Sequence, residues 1–198
     1  VAQDPQANEL PIVANELVLE QINKYITSYG KRKYVRESLA RMQEFKPMIS
    51  DKLKAANMPM DMLAVPMVES GYRNIRSRDL MKDPSKDYFR SAGLWMFIEN
   101  TAKAYGMRVD EKNDDRLNPK IETDAAIAYL LKGHKEFNKS WLLSLAAYNK
   151  GDIRVRKKIG KTQQQDIWQL ISEKHLNDYV PTVTAFAILI KNPQLVAD

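Results

Sequence analysis

Apolar residues recur at helical spacing along almost the whole chain, and no run alternates with period two. Leu17, Ile22, Tyr25, Ile26 and Tyr29 make one stripe, and Val35, Leu39, Met42, Phe45, Ile49 and Leu53 make the next. A stripe with this period faces one side of a helix but would be split between both faces of a strand, so the pattern predicts an all-α fold. The 7 Gly and 9 Pro among 198 residues are too few for a turn-rich sandwich. No internal repeat or linker divides the chain, and its length suits one core, so a single domain of about eight to ten helices is expected.

Local signals place the elements. Gly30 is expected to end the first helix as a C-cap, with Lys31-Arg32-Lys33 as a solvated turn. Pro47 must kink or divide the second helix. Residues 60–72 read as an apolar helix that runs into a carboxylate, and residues 74–90 as an irregular polar loop. Asn100 or Thr101 is expected to open a helix that Gly106 stops. Asn118-Pro119 reads as an N-cap followed by proline at the first helical position, and Ser140 as the next cap. Shorter helices are expected near 153–159 and 167–171, with a last one over about 177–190.

Composition narrows the function classes. Without cysteine the chain can use no thiolate nucleophile, Cys-based zinc site or disulfide. No stretch approaches the roughly 20 apolar residues of a membrane helix. The start, Val1-Ala2-Gln3-Asp4-Pro5, lacks the apolar core of a secretory signal. A net charge of +6 favours a polyanionic partner: nucleic acid, an anionic membrane surface or an acidic cell-wall polymer. Nucleic acid fits least, because the basic residues are spread out and no helix carries a dense Arg and Lys stripe. No phosphate-binding glycine loop, metal signature or Ser-His-Asp order is visible, and no cofactor is expected.

Glu69 asks for an explanation. On a helix it shares a face with Val65 and Met62, at i−4 and i−7. A carboxyl desolvated among such neighbours has a raised pKa and can serve as a general acid. Periodicity alone equally allows Glu69 to be the last residue of a buried helix, pointing into solvent.

Four ordered blocks bear on that choice. Val65-Pro66-Met67-Val68-Glu69-Ser70-Gly71-Tyr72 resembles the catalytic-glutamate motif of the lytic transglycosylase (SLT) domains of glycoside hydrolase family 23, which share the goose-type lysozyme fold. Ser91-Ala92-Gly93-Leu94-Trp95-Met96-Phe97-Ile98, Ala146-Ala147-Tyr148-Asn149-Lys150-Gly151 and Asn177-Asp178-Tyr179-Val180-Pro181 resemble the second, third and fourth motifs in the family's order. The segment Asn57-Met58-Pro59-Met60-Asp61-Met62-Leu63 is similar to the membrane-bound lytic transglycosylase D branch. The resemblance covers about 35–193, so residues 35–198 are expected to form the catalytic domain and 1–34 an N-terminal helical extension.

The resemblance implies a lysozyme-like domain that cleaves peptidoglycan glycan strands between N-acetylmuramic acid and N-acetylglucosamine without water as nucleophile. Glu69 would act as acid and then as base, closing a 1,6-anhydro ring. The substrate's acetamido group would help the cationic centre, outside the two-carboxylate scheme. Asp114 and Asp115 are the nearby acidic residues that geometry must exclude. The same likeness implies a cell-envelope or periplasmic setting, with any membrane anchor outside this segment.

It also assigns substrate-binding roles. Ser70 would bond substrate or orient Glu69, or else simply end its helix. Tyr148 would reach toward Glu69 and Asn149 toward sugar, or they are a buried aromatic and a left-handed cap. Tyr179 would bond the carboxylate or merely pack. Gly93 and Leu94 would bring backbone close to the sugar, although a tight turn would need glycine at 93 equally, and Trp95 and Phe97 are either a stacking floor or core. The chain departs from the pattern at Met96, where the second motif usually carries Gln: a thioether replaces an amide donor and acceptor, which points to a catalytically impaired binding domain as the alternative. It departs again in the long loop 73–90, with Arg73, Arg76, Arg78, Lys82, Lys86 and Arg90. This loop covers the cleft, meets another segment, binds acidic stem peptides or is simply solvated. His134 and His175 fall outside every motif and read as surface or capping residues.

Overall fold

The computed structural model of the chain describes residues 9–83, 85 and 90–197. Lys86 of the basic loop, and the first residues of the chain, lie outside the described residues. Among the described residues the fold is all-α, with nine α-helices and three isolated bridges in place of any sheet.

Helix α1 (Glu16–Thr27) is capped by the Asn15 side chain, which accepts from the Val18 N–H. The chain turns at Ser28 (φ −83°, ψ 119°) and enters α2 (Tyr29–Ala55) directly. Gly30 therefore does not end α1, and Lys31-Arg32-Lys33 is not a turn: these residues form the first turns of α2. Nothing in a glycine obliges it to leave the helical region, and one extended residue at Ser28 is enough to separate two helices. Pro47 lies inside α2, which is undivided. The proline is exposed, so the carbonyl it strips of a partner, that of the exposed Gln43, lies where water can reach it.

A 3-10 turn, Met60–Leu63, leads into the short helix α3 (Ala64–Glu69). Then come α4 (Glu99–Ala104), α5 (Pro119–Glu136), α6 (Trp141–Lys150), α7 (Asp152–Thr162), α8 (Ile167–Ser172) and α9 (Tyr179–Lys191). The cap of α4 is Ile98 rather than Asn100 or Thr101. Asn118 and Ser140 do cap α5 and α6, accepting from Lys120 N and Leu143 N.

Helix α9 is central: it packs on α1, α3 and α6, while α5 packs on α2 and α6. The apolar core runs through Ile49, Met62, Leu94, Trp95, Leu130, Leu145 and Phe186. Leu10 and Val18 are also buried, so the segment before α2 is packed into the domain. Helix α2 runs unbroken through positions 34 and 35. No described helix is long and apolar enough to cross a membrane.

Candidate active site

Helix α3 ends on Glu69 because the chain reverses immediately after it. Gly71 (φ +61°) and Tyr72 (φ +58°) are both left-handed. A Cβ on Gly71 would lie 2.8 Å from Ser38 Oγ, so the turn sits tightly on α2. Three long-range hydrogen bonds hold it: Tyr34 Oη donates to Met67 O, Arg41 Nε to Gly71 O, and Tyr72 Oη to Leu63 O, each at 2.7 Å.

The Glu69 carboxyl is only partly accessible. Tyr179, on the first turn of α9, donates its phenol to Glu69 Oε1 at 2.6 Å. Burial pushes the Glu69 pKa up to about 7, and the Tyr179 hydrogen bond opposes part of that rise. Because Oε1 is already accepting, the carboxyl proton is best carried on Oε2, which has no protein partner among the described residues. Removing the phenol is expected to raise the Glu69 pKa further. Infrared or carboxyl-carbon NMR titration of Tyr179→Phe should show a rise of about one unit, and an unchanged or lower value would contradict the balance described here.

The second motif forms a loop, residues 93–97, beside Glu69. Its backbone is held from several sides. Ser70 Oγ donates to Leu94 O at 2.8 Å, and Tyr148 Oη donates to Trp95 O at 2.7 Å. Gly93 N donates to Ile75 O at 2.9 Å, and the Arg116 guanidinium donates to Phe97 O at 3.2 Å. Gly93 (φ +89°) must be glycine both for the left-handed turn it makes and for want of room beside it. A Cβ here would collide with Arg116 O at 2.1 Å and Glu122 Oε1 at 2.2 Å, so the backbone lies flush against the protein on this side.

Several expected contacts change accordingly. The Tyr148 phenol is directed at the Trp95 carbonyl rather than at Glu69, and burial with the nearby Glu69 charge raises its pKa. Ser70 is buried and its hydroxyl is engaged with backbone carbonyls. Leu94, Trp95 and Phe97 are core residues, with Trp95 Nε1 donating to Thr123 Oγ1 at 3.0 Å, so neither aromatic is a stacking floor. Met96 (φ +53°) is the partly exposed residue at the loop's bend, its Sδ 3.7 Å from Ser91 Oγ. Asn149 is exposed and helical, accepting from Asn177 Nδ2 at 3.1 Å, while Gly151 (φ +83°) takes the positive φ after it.

The other acidic candidates are engaged elsewhere. Asp114 is held by both guanidinium arms of Arg116 at 2.8 and 3.0 Å and by Arg76 at 3.4 Å. Asp115 accepts from the Arg108 backbone at 2.8 Å. His134 stacks on Trp141 and His175 sits 3.3 Å from Glu173, both apart from Glu69. No group of three or more His, Cys, Asp or Glu among the described residues could hold a metal ion. A separate cleft of about 890 Å³, lined in part by Arg76, Arg90, Ser91, Lys103 and Arg116, contains these internal ion pairs. Within loop 73–90, Arg76 pairs with Asp114 and bridges to Ala92, which anchors the loop's start to the second motif.

Sequence reasoning missed Glu122. It is fully buried on α5 and accepts from Leu94 N at 2.8 Å and Trp95 N at 3.0 Å. The signal was present, since Glu122 shares a face with Ala125, Ala126 and Tyr129 just as Glu69 does with Val65 and Met62.

The profile of the transglycosylase SLT domain matches residues 46–171, more than half of the chain, and that range includes Glu69, the second-motif loop and Tyr148. The chain belongs to the transglycosylase SLT domain family. Among similar proteins, the "Membrane-bound lytic murein transglycosylase D" of Escherichia coli K12 is 29% identical over 189 residues, covering 93% of this chain and 39% of that protein. This SLT domain thus spans about two fifths of the relative's length. The "Peptidoglycan transglycosylase gp16" of Escherichia phage T7 is 41% identical over 64 residues, 32% of this chain and 5% of that protein. A "Putative tributyltin chloride resistance protein" of Alteromonas sp. M-1 is 23% identical over 158 residues, covering 78% and 72%. Tyr179, which bonds Glu69, lies beyond the end of the SLT profile match but inside the all-α fold that carries it.

Proposed function

We propose that this SLT domain is a peptidoglycan lytic transglycosylase in which Glu69 is first the acid and then the base. The observation that carries the reading is the environment of Glu69: a carboxyl in an apolar setting, hydrogen-bonded on Oε1 by Tyr179, with a pKa near 7. Near neutrality such a group is accessible both protonated and ionised, and a reaction that gives a proton and then takes one needs both forms.

In the first step the Oε2 proton passes to the glycosidic oxygen as the bond from C1 of N-acetylmuramic acid breaks, and the N-acetylglucosamine side leaves as an alcohol. Positive charge developing at C1 is met by the substrate's own acetamido oxygen. In the second step the Glu69 carboxylate removes the proton of the muramic 6-hydroxyl as that oxygen bonds to C1. The 1,6-anhydro ring closes, Glu69 is again protonated, and no water is consumed. Asp114 and Asp115 are tied up by arginine and backbone partners, which fits a scheme with a single working carboxyl.

The catalytic unit in this reading is 35–198, with α1 of the preceding segment laid against α9. Its partner is the glycan strand, its setting the cell envelope, and its net charge of +6 favours an acidic polymer in general rather than any one linkage. The test is incubation of the protein and of Glu69→Gln with purified sacculi, followed by mass spectrometry. Anhydro-muropeptides from the wild type alone are expected. Reducing-end products would indicate a hydrolase, and retained binding without products would indicate a binding domain.

Met96 favours the binding-domain alternative, since a thioether at the loop's bend offers a sugar almost no hydrogen bonding. Met96→Gln is expected to raise kcat/KM on sacculi, by up to roughly a hundredfold if the amide bonds the transition state. No rise would contradict this account of the position.

A further inference from the structure

We propose that Glu122 is a positioning residue for the reaction, its carboxyl holding loop 93–97 in the shape that receives Tyr148 and Ser70, the neighbour of Glu69. The proposal rests on the transglycosylase reading for its consequence in catalysis, but the hold itself is a matter of geometry.

Two consecutive backbone N–H groups, Leu94 and Trp95, point at one side chain. Such a paired arrangement forms a nest for a side chain that can present one oxygen to each donor, and Glu122 Oε2 and Oε1 do so. The Glu122 Cδ lies only 2.3 Å from where a Gly93 Cβ would stand, so the carboxyl is seated flush against the loop backbone. With the N–H groups turned toward α5, the loop's carbonyls face the opposite way. Leu94 O receives Ser70, the residue directly after Glu69, and Trp95 O receives Tyr148.

The groups around this connection are few and identifiable. Arg116 is the cation that acts on Glu122, and it also ties down Phe97 O at the loop's far end. Burial raises the Glu122 pKa well above the usual carboxylate range, against the pull of the loop N–H groups and Arg116. Around Glu69 itself stand the phenols of Tyr179 and Tyr148, from α9 and α6. Releasing the loop from Glu122 would free Ser70 and Tyr148 together and admit water beside Glu69. Its burial would then lessen and its proton would be lost at lower pH.

Glu122→Gln tests this. The variant keeps the side chain's size but turns one acceptor into an NH2 group facing an N–H. The folded variant is expected to lose about tenfold or more in kcat with KM within about twofold. The alkaline limb of its kcat profile should move to lower pH by about half a unit or more. A purely structural role would reduce the folded fraction and leave that limb in place, and this result would overturn the proposal.

Amide hydrogen exchange in the wild type gives a second readout that needs no foldable variant. Leu94 and Trp95 should exchange as slowly as the core helices. Free exchange at those amides in an active wild type would overturn the proposal. An inactive wild type with both amides protected would instead sink the transglycosylase reading and leave the hold of Glu122 on the loop standing.

Discussion

Glu69→Gln is expected to lower anhydro-muropeptide release by about three orders of magnitude, because the variant can neither give the first proton nor take the second. The wild-type rate should itself fall as pH rises through about 7, where the acid form of Glu69 is lost. A stability consequence accompanies the loss. The folded-state pKa lies above the ordinary value of 4.5, so the folded protein binds more protons than the unfolded chain between those two points. Stability from this group is therefore full below about 4.5 and declines as pH rises to about 7, by up to about 3 kcal/mol. Glutamine carries no such penalty. Thermal melts should show Glu69→Gln more stable than the wild type by several degrees at pH 8, with no gain at pH 4. A variant that is less stable at pH 8 would contradict the burial ascribed to Glu69.

Gly93→Ala is expected to have the largest effect on stability. The residue is left-handed at φ +89°, and the new methyl would stand 2.1 Å from Arg116 O, a backbone atom that cannot swing away. Strain and overlap together should cost on the order of 4 kcal/mol, lowering Tm by about 10 °C. The methyl also displaces Glu122 from the loop, so activity measured well below Tm should fall as well. A Tm within about 2 °C of the wild type would show that the loop has more room than the geometry gives it.

What the sequence disclosed was what is local. Asn118 and Ser140 bond backbone two and three residues ahead, so spacing alone reveals their caps. The carboxylate on the apolar face at Glu69 was legible for the same reason. Gly30 misled, because a glycine permits a helix stop without requiring one, and the break came at Ser28. The site's inner connections were not legible. Tyr148 reaches Trp95 O, and Glu122 reaches Leu94 N and Trp95 N, across 53, 28 and 27 positions of sequence. Those bonds exist only once positive φ at Gly93 and Met96 has turned the loop backbone toward α5 on one side and α3 and α6 on the other. The same turn sends Trp95 and Phe97 into the core, which residue type alone could not distinguish from an exposed stacking floor.

In the proposed reaction one carboxyl, Glu69, completes the cleavage without water. Digestion of sacculi by the wild-type protein in water enriched in heavy oxygen tests it most directly. Anhydro-muropeptides that carry no heavy oxygen at C1 are expected, since the 6-hydroxyl supplies that oxygen from within the sugar. Reducing-end products bearing one heavy oxygen would contradict it.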